Sequence, residues 1–126
     1  MGRAWHAVES VTGTFIVSHR NSQLNDLQWQ VSEVNTTGDV LHQFSPSSLG
    51  KPLHIASDSQ GNIIVADYHN GRILLLDAQL ALRRVIIDER QLNYKLPCRL
   101  CYMQHTRQLL VALDDSNVVM VFDMLE

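Results

Sequence analysis

Residues 60–77 have the sequence QGNIIVADYHNGRILLLD, in which a short polar stretch, 68–71, separates two apolar runs. Short apolar runs bounded by Gly, Asn and Asp are typical of β-strands. Asn70-Gly71 is typical of a tight antiparallel turn, because such a turn needs positive φ angles, which Asn tolerates and Gly adopts freely. The stretch therefore predicts a hairpin of two strands.

The pattern of this hairpin recurs along the chain. His54 corresponds to His6 at an offset of 48 residues, and Pro52 corresponds to Pro97 at an offset of 45. Repeats in the forties with four short strands each are typical of β-propeller blades, whose sheets bury their faces only by stacking on one another. The hairpin is therefore predicted to be part of one blade among three.

No segment has the three- and four-residue apolar spacing of an amphipathic helix, so the sequence predicts an all-β fold. The predicted strands are 6–10, 14–18, 29–34, 39–44, 53–57, 62–67, 72–77, 83–87, 98–102, 108–113 and 118–123. They form a partial β-propeller of about three four-stranded antiparallel blades. The predicted blades are 5–44, 52–87 and 97–126.

The second copy has small and charged residues at defined positions. Gly61 lies at the first turn, Asp67 ends the second strand, and Asn70, Gly71 and Arg72 precede the third. This pattern resembles the NHL repeat, a propeller blade found in tripartite-motif ubiquitin ligases, although the family usually has His where Gly71 stands. The match is weaker in the other two copies. The resemblance implies that residues 1–126 form about half of a six-bladed NHL propeller.

Asp67 and Arg72 flank the predicted turn with opposite charges. Residues at this spacing face each other across the end of a hairpin, where such a pair contributes about 0.2 to 1 kcal/mol. The third copy has Leu113 and Val118 at these positions. Because an apolar pair replaces the charged pair, the sequence predicts a structural contact and not a catalytic dyad.

The composition is that of one packed domain, with 126 residues, 45% of them hydrophobic and 18% charged. A formal net charge of -3 provides no overall attraction to nucleic acid or to anionic membranes. No apolar run approaches the ~18 residues of a membrane helix, and the first residues do not resemble a secretory signal. We therefore expect a soluble protein without membrane contacts, and the resemblance implies a cytoplasmic location.

Cys98 and Cys101 have Cys-x-x-Cys spacing within a predicted strand. Residues three apart on a strand point to opposite faces, so the two sulfurs diverge. Structural zinc sites usually have two such pairs, and this chain has one. The sequence predicts buried, reduced cysteines, with a metal or redox role as the alternative.

In an antiparallel blade, the loops after the second and fourth strands leave the sheet at the same edge. We call the surface they form the loop face. Its predicted segments are 19–28, 45–51, 68–71, 88–96 and 114–117. Its candidate binding residues are Arg20, Lys51, Tyr68, His69, Arg90, Tyr94, Lys95, Asp114 and Asp115. Basic and acidic residues are nearly balanced across these segments, which is unlike a surface that binds phosphate groups.

His6 and His54 occupy equivalent positions on the predicted inner strands, where both could approach the propeller axis. Some propeller enzymes of similar fold, the peptide-amidating lyase and the lactonases, bind a metal there. The third copy has Arg99 at this position, and no carboxylate recurs beside it. A metal-dependent propeller enzyme is therefore an alternative to a binding module.

The resemblance implies a non-catalytic protein-interaction module without cofactors that recognises a substrate or protein partner. Any ubiquitin-ligase chemistry would belong to other domains, because the paired Cys and His ligands of a RING are missing from this sequence. RNA binding, which some NHL propellers perform, is a further alternative. A contiguous basic patch on the loop face would favour it.

Three blades do not close a ring, since propellers typically have about four to eight. We expect the missing blades to come from a longer chain or from a second copy of this one. A longer chain is favoured, because neither end of the array has the polar residues that cap an autonomous repeat protein.

Overall fold

The structure is a computed structural model that describes residues 4–20 and 28–124. The strands are β1 (Ala4–Glu9), β2 (Phe15–Arg20), β3 (Trp29–Val34), β4 (Val40–Phe44), β5 (Pro52–Ser57), β6 (Ile63–Asp67), β7 (Arg72–Leu76), β8 (Leu82–Ile87), β9 (Pro97–Met103), β10 (Gln108–Leu113) and β11 (Val119–Asp123). A single 3₁₀ turn, Tyr68–Asn70, is the one helical element in these two ranges. Within these two ranges, no helix is long and apolar enough to cross a membrane.

The strands form three antiparallel sheets in chain order, which we call the first, second and third blades. They contain β1–β4, β5–β8 and β9–β11. The predicted all-β partial propeller is therefore confirmed. Each predicted strand lies within two residues of an observed one at both ends, because each apolar run ends at a polar turn.

Four turns at the edge opposite the loop face share one construction. A side-chain oxygen of the first turn residue accepts hydrogen bonds from the backbone N–H groups two and four residues later. These bonds fix the turn that ends one strand and begins the next. The first residues are Ser10, Asn35, Asp58 and Asp77. The residue at the fourth position always has positive φ. It is Gly13, Gly38, Gly61 and, in the last turn, Leu80 with φ 64°.

The second blade is buried on both faces. Successive side chains of a strand point to opposite faces, so Val65 and Leu74 pack against the first blade, and Ile64 and Leu75 pack against the third. All four are buried. The continuous apolar run Ile73–Leu76 is therefore covered on both sides, as is usual for such runs.

The apolar run 118–122 is covered on one face only. Val119 and Val121 are 52% and 53% exposed, whereas Met120 and Phe122 pack towards the second blade. The reason is that, in the described part of the chain, no other sheet covers this face of the third blade.

The prediction that Cys98 and Cys101 are buried needs correction. Both thiols are free, as predicted, but Cys98 is half-buried and Cys101 is exposed. Cys101 pairs with Leu110 in the sheet, and both lie on the uncovered face of the third blade. The sequence pattern of β9 does not indicate which of its faces has a neighbour.

Candidate functional site

Asp67 connects the two loops at the loop-face end of the second blade. Its carboxylate is fully buried and accepts hydrogen bonds from Arg72 Nε at 2.6 Å and from the Gly50 N–H at 2.7 Å. The Asn70 amide donates to it at 2.9 Å. The predicted contact between Asp67 and Arg72 is thus present, and Asp67 and Arg72 are also direct partners in the sheet. The hydrogen bond from Gly50 to the same carboxylate was not predicted from the sequence.

The approach of Gly50 to this carboxylate leaves no room for a side chain. A Cβ atom at Gly50 would lie 2.8 Å from Asp67 Oδ1 and 3.0 Å from His69 Cβ. Both distances are shorter than a van der Waals contact permits. Glycine at position 50 is therefore what allows the chain to pass over the hairpin end.

The turn between β6 and β7 differs in part from the prediction. Gly71 has the expected left-handed conformation, with φ 62° and ψ 37°. Asn70 does not have positive φ, because it belongs to the 3₁₀ turn. Its amide instead donates to the Ser48 carbonyl at 2.7 Å and to Asp67. Asn70 therefore fixes the neighbouring loop as well as its own.

Hydrogen bonds also join neighbouring loops of the loop face to one another. The Tyr68 N–H donates to the Lys51 carbonyl at 2.9 Å, and the Asp114 N–H donates to the Leu96 carbonyl at 2.8 Å. The Tyr68 hydroxyl donates to the Asp114 carboxylate, and this bond holds the pKa of Tyr68 above its ordinary value. The structure thus brings together Tyr68 and Asp114, two predicted binding residues from different blades.

Among the described residues of the loop face, Tyr94 is the most exposed large hydrophobic side chain. It is 70% exposed, and its backbone N–H donates to the Glu89 carbonyl at 2.8 Å. Asn93 and Tyr94 both have positive φ, which shapes the loop that presents the ring. The other predicted residues of these loops are exposed side chains, namely His69, Arg90, Lys95 and Asp115.

A groove of about 500 Å³ opens beside these loops. It is lined by Ser48, Asn70, Arg72, Val85, Asp88 and Glu89. Arg72 forms part of its wall while its Nε remains bound to Asp67. The lining combines one basic, two acidic and several neutral groups, so no single charge dominates. The groove was not predictable from the loop segments alone, because Val85 comes from β8, outside the predicted loops.

Two cations lie over the ring of Trp29, which is in β3 of the first blade. Arg20 Cζ and Lys51 Nζ each lie 5.9 Å from the ring centroid of Trp29, which is within the range of a cation–π interaction. The two cations are among the predicted binding residues, but Trp29 is not, because it directly follows the predicted segment 19–28. Within that segment, 21–27 lie outside the described residues.

The hairpin around Asp67 is also where the chain matches a known family. Residues 49–74 match the NHL repeat. These residues begin before β5 and end within β7, so the predicted resemblance is confirmed for one repeat. The association with tripartite-motif proteins stays a prediction. A comparison with curated proteins found no match to this sequence.

The fold is similar to that of a crystal structure of a protein of unknown function from Bacteroides caccae. The TM-score is 0.55 at 13% sequence identity, and the similarity covers 96% of this chain and 46% of that one. The present chain therefore spans about half the length of the similar structure. At this level of identity, the similarity concerns the fold alone.

His6 and His54 link each blade to the next. His6 Nδ1 accepts the N–H of Ile55 in the NHL repeat at 3.0 Å, and His54 Nδ1 accepts the N–H of Leu100 in the third blade at 3.0 Å. The two rings stack with centroids 3.8 Å apart. The repeated histidines noted in the sequence therefore have a repeated structural role, since each accepts a bond from the following inner strand.

The surroundings keep these rings neutral. Burial, followed by repulsion from a protonated His6 ring and from Arg99, lowers the pKa of His54 to about 4. Burial and the charge of Arg99 also lower the pKa of His6. The described residues contain no cluster of three or more His, Cys, Asp or Glu side chains that could hold a metal ion. With a cation beside both rings, this arrangement does not favour the metal-enzyme alternative.

The lowered pKa values predict a pH dependence of stability. Between pH 6.5 and about 4, His54 takes up a proton in the unfolded chain but not in the folded one. The unfolded state binds more protons there, so the free energy of unfolding falls as the pH falls. Urea unfolding at pH 7 and pH 5 measures this loss. His54→Gln keeps a hydrogen-bond acceptor but cannot titrate. Its free energy of unfolding should therefore fall less between pH 7 and pH 5 than that of the unsubstituted protein. An equal loss in both proteins would contradict the assignment.

Proposed function

We propose that this chain is a non-catalytic protein-interaction module and that the loop face of its second and third blades binds a protein partner. The observation that carries the proposal is the continuity of that face. Bonds from Tyr68 to Lys51 and to Asp114 join loops of different blades into one surface before any partner arrives. A preformed surface reduces the entropy lost on binding.

The exposed groups of this face support a protein partner. Tyr and Arg are enriched among residues that dominate the energy of protein interfaces, and Tyr94 and Arg90 lie exposed in the same loop. Acidic residues accompany the basic ones on the face, at Asp88, Glu89 and Asp115. Such a mixture suits a protein surface of mixed charge better than a phosphate backbone.

The NHL resemblance suggests a finer version of the proposal. In this version the chain recognises substrates or partners in the cytoplasm, as the propellers of tripartite-motif ubiquitin ligases do, and any ligase chemistry belongs to other domains. Matched residues 49–74 support the repeat type. The finer version rests on the resemblance of that repeat.

Paired substitutions test the proposal. Tyr94→Ser with Arg90→Ser removes an aromatic and a cationic side chain from the loop face. Leu82→Ser with Arg84→Ser changes exposed side chains of the outer strand β8 and is the matched control. Proteins captured from a cytoplasmic extract by the immobilised chain are identified, purified and titrated by calorimetry. We expect the loop-face variant to weaken binding about tenfold or more, which corresponds to about 1.4 kcal/mol. Equal losses in both variants would contradict the proposal.

RNA binding is a second candidate, favoured by Arg20 and Lys51, whose charges both lie near the ring of Trp29. A stacked base with nearby cations is a common arrangement for single-stranded RNA. Titration with labelled RNA hairpins at increasing salt distinguishes the two functions. Saturable binding that weakens steeply with salt, and that Trp29→Ala abolishes, would support RNA. The protein-interaction proposal expects no such binding.

A further inference from the structure

Hydrogen bonds hold the walls of the groove beside the loop face in place. This groove of about 500 Å³ is lined by Ser48, Asn70, Arg72, Val85, Asp88 and Glu89. The Asn70 amide donates to the Ser48 carbonyl at 2.7 Å, and the Asp88 N–H donates to Gln91 Oε1 at 2.9 Å. Pockets that bind small ligands measure about 300 to 1,000 Å³. The groove is therefore a preformed site with room for one side chain.

The groove has an excess of negative charge once its ion pairs are counted. Arg72, the cation in its lining, is bound through Nε to Asp67 at 2.6 Å, and this buried carboxylate balances its charge. Asp88 and Glu89 form no ion pair within the described ranges. The cations of their own loop do not line the groove. The two uncompensated carboxylates therefore favour a cationic ligand.

The other open groups of the groove suit an arginine side chain. The Asn70 side-chain N–H groups donate to Ser48 and Asp67, which leaves Asn70 Oδ1 without a partner among the described residues. Val85 is 41% exposed and forms an apolar part of the wall. Arginine combines an apolar stem with five N–H donors in a planar fork, which matches carboxylate and amide oxygens. The lining therefore fits a guanidinium better than a compact ammonium group.

We infer that this groove binds an arginine side chain of a protein partner, an inference that rests on the proposed function. The guanidinium donates to the carboxylates of Asp88 and Glu89 and to Asn70 Oδ1. The aliphatic stem covers Val85. The outer nitrogens of Arg72 bind no described residue, so they can donate to a backbone carbonyl of the same segment. The ligand is therefore arginine within a polypeptide.

Titration of the purified chain with the peptide acetyl-Gly-Arg-Gly-amide, followed by the methyl resonances of Val85, tests the inference. The control peptide has citrulline in place of arginine, which keeps the shape and removes the charge. We expect the arginine peptide to bind with a Kd on the order of millimolar, which is usual for so small a ligand. The citrulline peptide should bind at least about tenfold more weakly. Equal binding of the two, or no saturable binding of the arginine peptide, would overturn the inference.

A guanidinium group could also come from a small molecule. Methylguanidinium has the charge but lacks the stem and the backbone carbonyl. Weaker binding of methylguanidinium than of the arginine peptide supports a polypeptide ligand. Equal or tighter binding of methylguanidinium assigns the groove to a free cation and contradicts the inference.

Neutral substitutions locate the site. Asp88→Asn with Glu89→Gln removes both charges but keeps an oxygen for the Gln91 N–H, and it should weaken binding of the arginine peptide about tenfold or more. Glu9→Gln with Asp123→Asn is the matched control, since it neutralises two exposed carboxylates outside the loop face and should leave binding unchanged. Circular dichroism of both double variants shows whether the fold is retained. Unchanged binding in Asp88→Asn, Glu89→Gln would refute the assignment.

The partner captured in the test of the proposed function separates the two failures. If Tyr94→Ser with Arg90→Ser weakens binding of that partner but Asp88→Asn with Glu89→Gln does not, the loop face binds protein without the groove and this inference is wrong. If the arginine peptide binds in the groove but the Tyr94 and Arg90 substitutions have no greater effect than the β8 control, the proposed function fails and the groove remains an arginine site.

Discussion

Replacement of Asp67 with Ala is expected to lower the free energy of unfolding by about 3 to 5 kcal/mol. The carboxylate is fully buried and binds Arg72, the Gly50 N–H and Asn70. Its removal leaves the guanidinium and a backbone N–H without their acceptor. The expected loss is therefore much larger than the contribution of an exposed ion pair.

Urea unfolding at pH 7 measures this loss. Glu89→Ala is the matched control, since it removes an exposed carboxylate from the neighbouring loop and should change the free energy of unfolding by less than about 0.5 kcal/mol.

Two further variants separate the contributions of the partners of Asp67. Asp67→Asn retains an oxygen for Gly50 and should lose less stability than Asp67→Ala. The double variant Asp67→Ala, Arg72→Ala should lose less than the sum of the single losses, because the pair acts as a unit. A loss below about 1 kcal/mol for Asp67→Ala would show that the surface rearranges around the missing group.

The second large effect is expected in the core. Leu74→Ala should cost about 2 to 5 kcal/mol, because the side chain is buried between the first and second blades and its removal leaves a cavity. Leu75→Ala should cost a similar amount at the junction with the third blade.

The outer strand supplies the control for these two substitutions. Leu82 is exposed on β8, and Leu82→Ala should cost less than about 1 kcal/mol. The midpoint of urea unfolding should move while its slope stays constant, since the folded surface hardly changes. If Leu75→Ala were as mild as Leu82→Ala, the packing of the second blade on the third would not contribute to stability.

Much of the fold was predictable because each strand is a local pattern. An apolar run between polar turns determines where a strand begins and ends, and Asp67 and Arg72 predict their own contact across one hairpin. The exposure of Val119 and Val121 was not predictable in this way. Their burial depends on a neighbouring sheet, which the sequence of β11 does not describe.

The site was harder to predict, because its contacts join distant parts of the chain. His6 and Ile55 are 49 positions apart, and Tyr68 and Asp114 are 46 apart. The repeat identified His6 and His54 as equivalent but did not show that Nδ1 of each ring accepts a hydrogen bond from a backbone N–H. For Asn70, turn preference predicted positive φ, whereas its side-chain bonds to Ser48 and Asp67 favour the 3₁₀ turn.

The histidine bonds between blades have a direction along the chain. In both, the acceptor ring belongs to the earlier blade and the donor backbone to the later one. During synthesis, a folded blade that has left the ribosome can therefore offer its histidine side chain as a hydrogen-bond acceptor to the inner strand that emerges next. This order of assembly suits a chain in which each sheet is built only from consecutive strands. No blade has to wait for a strand from a distant part of the chain before its own sheet is complete.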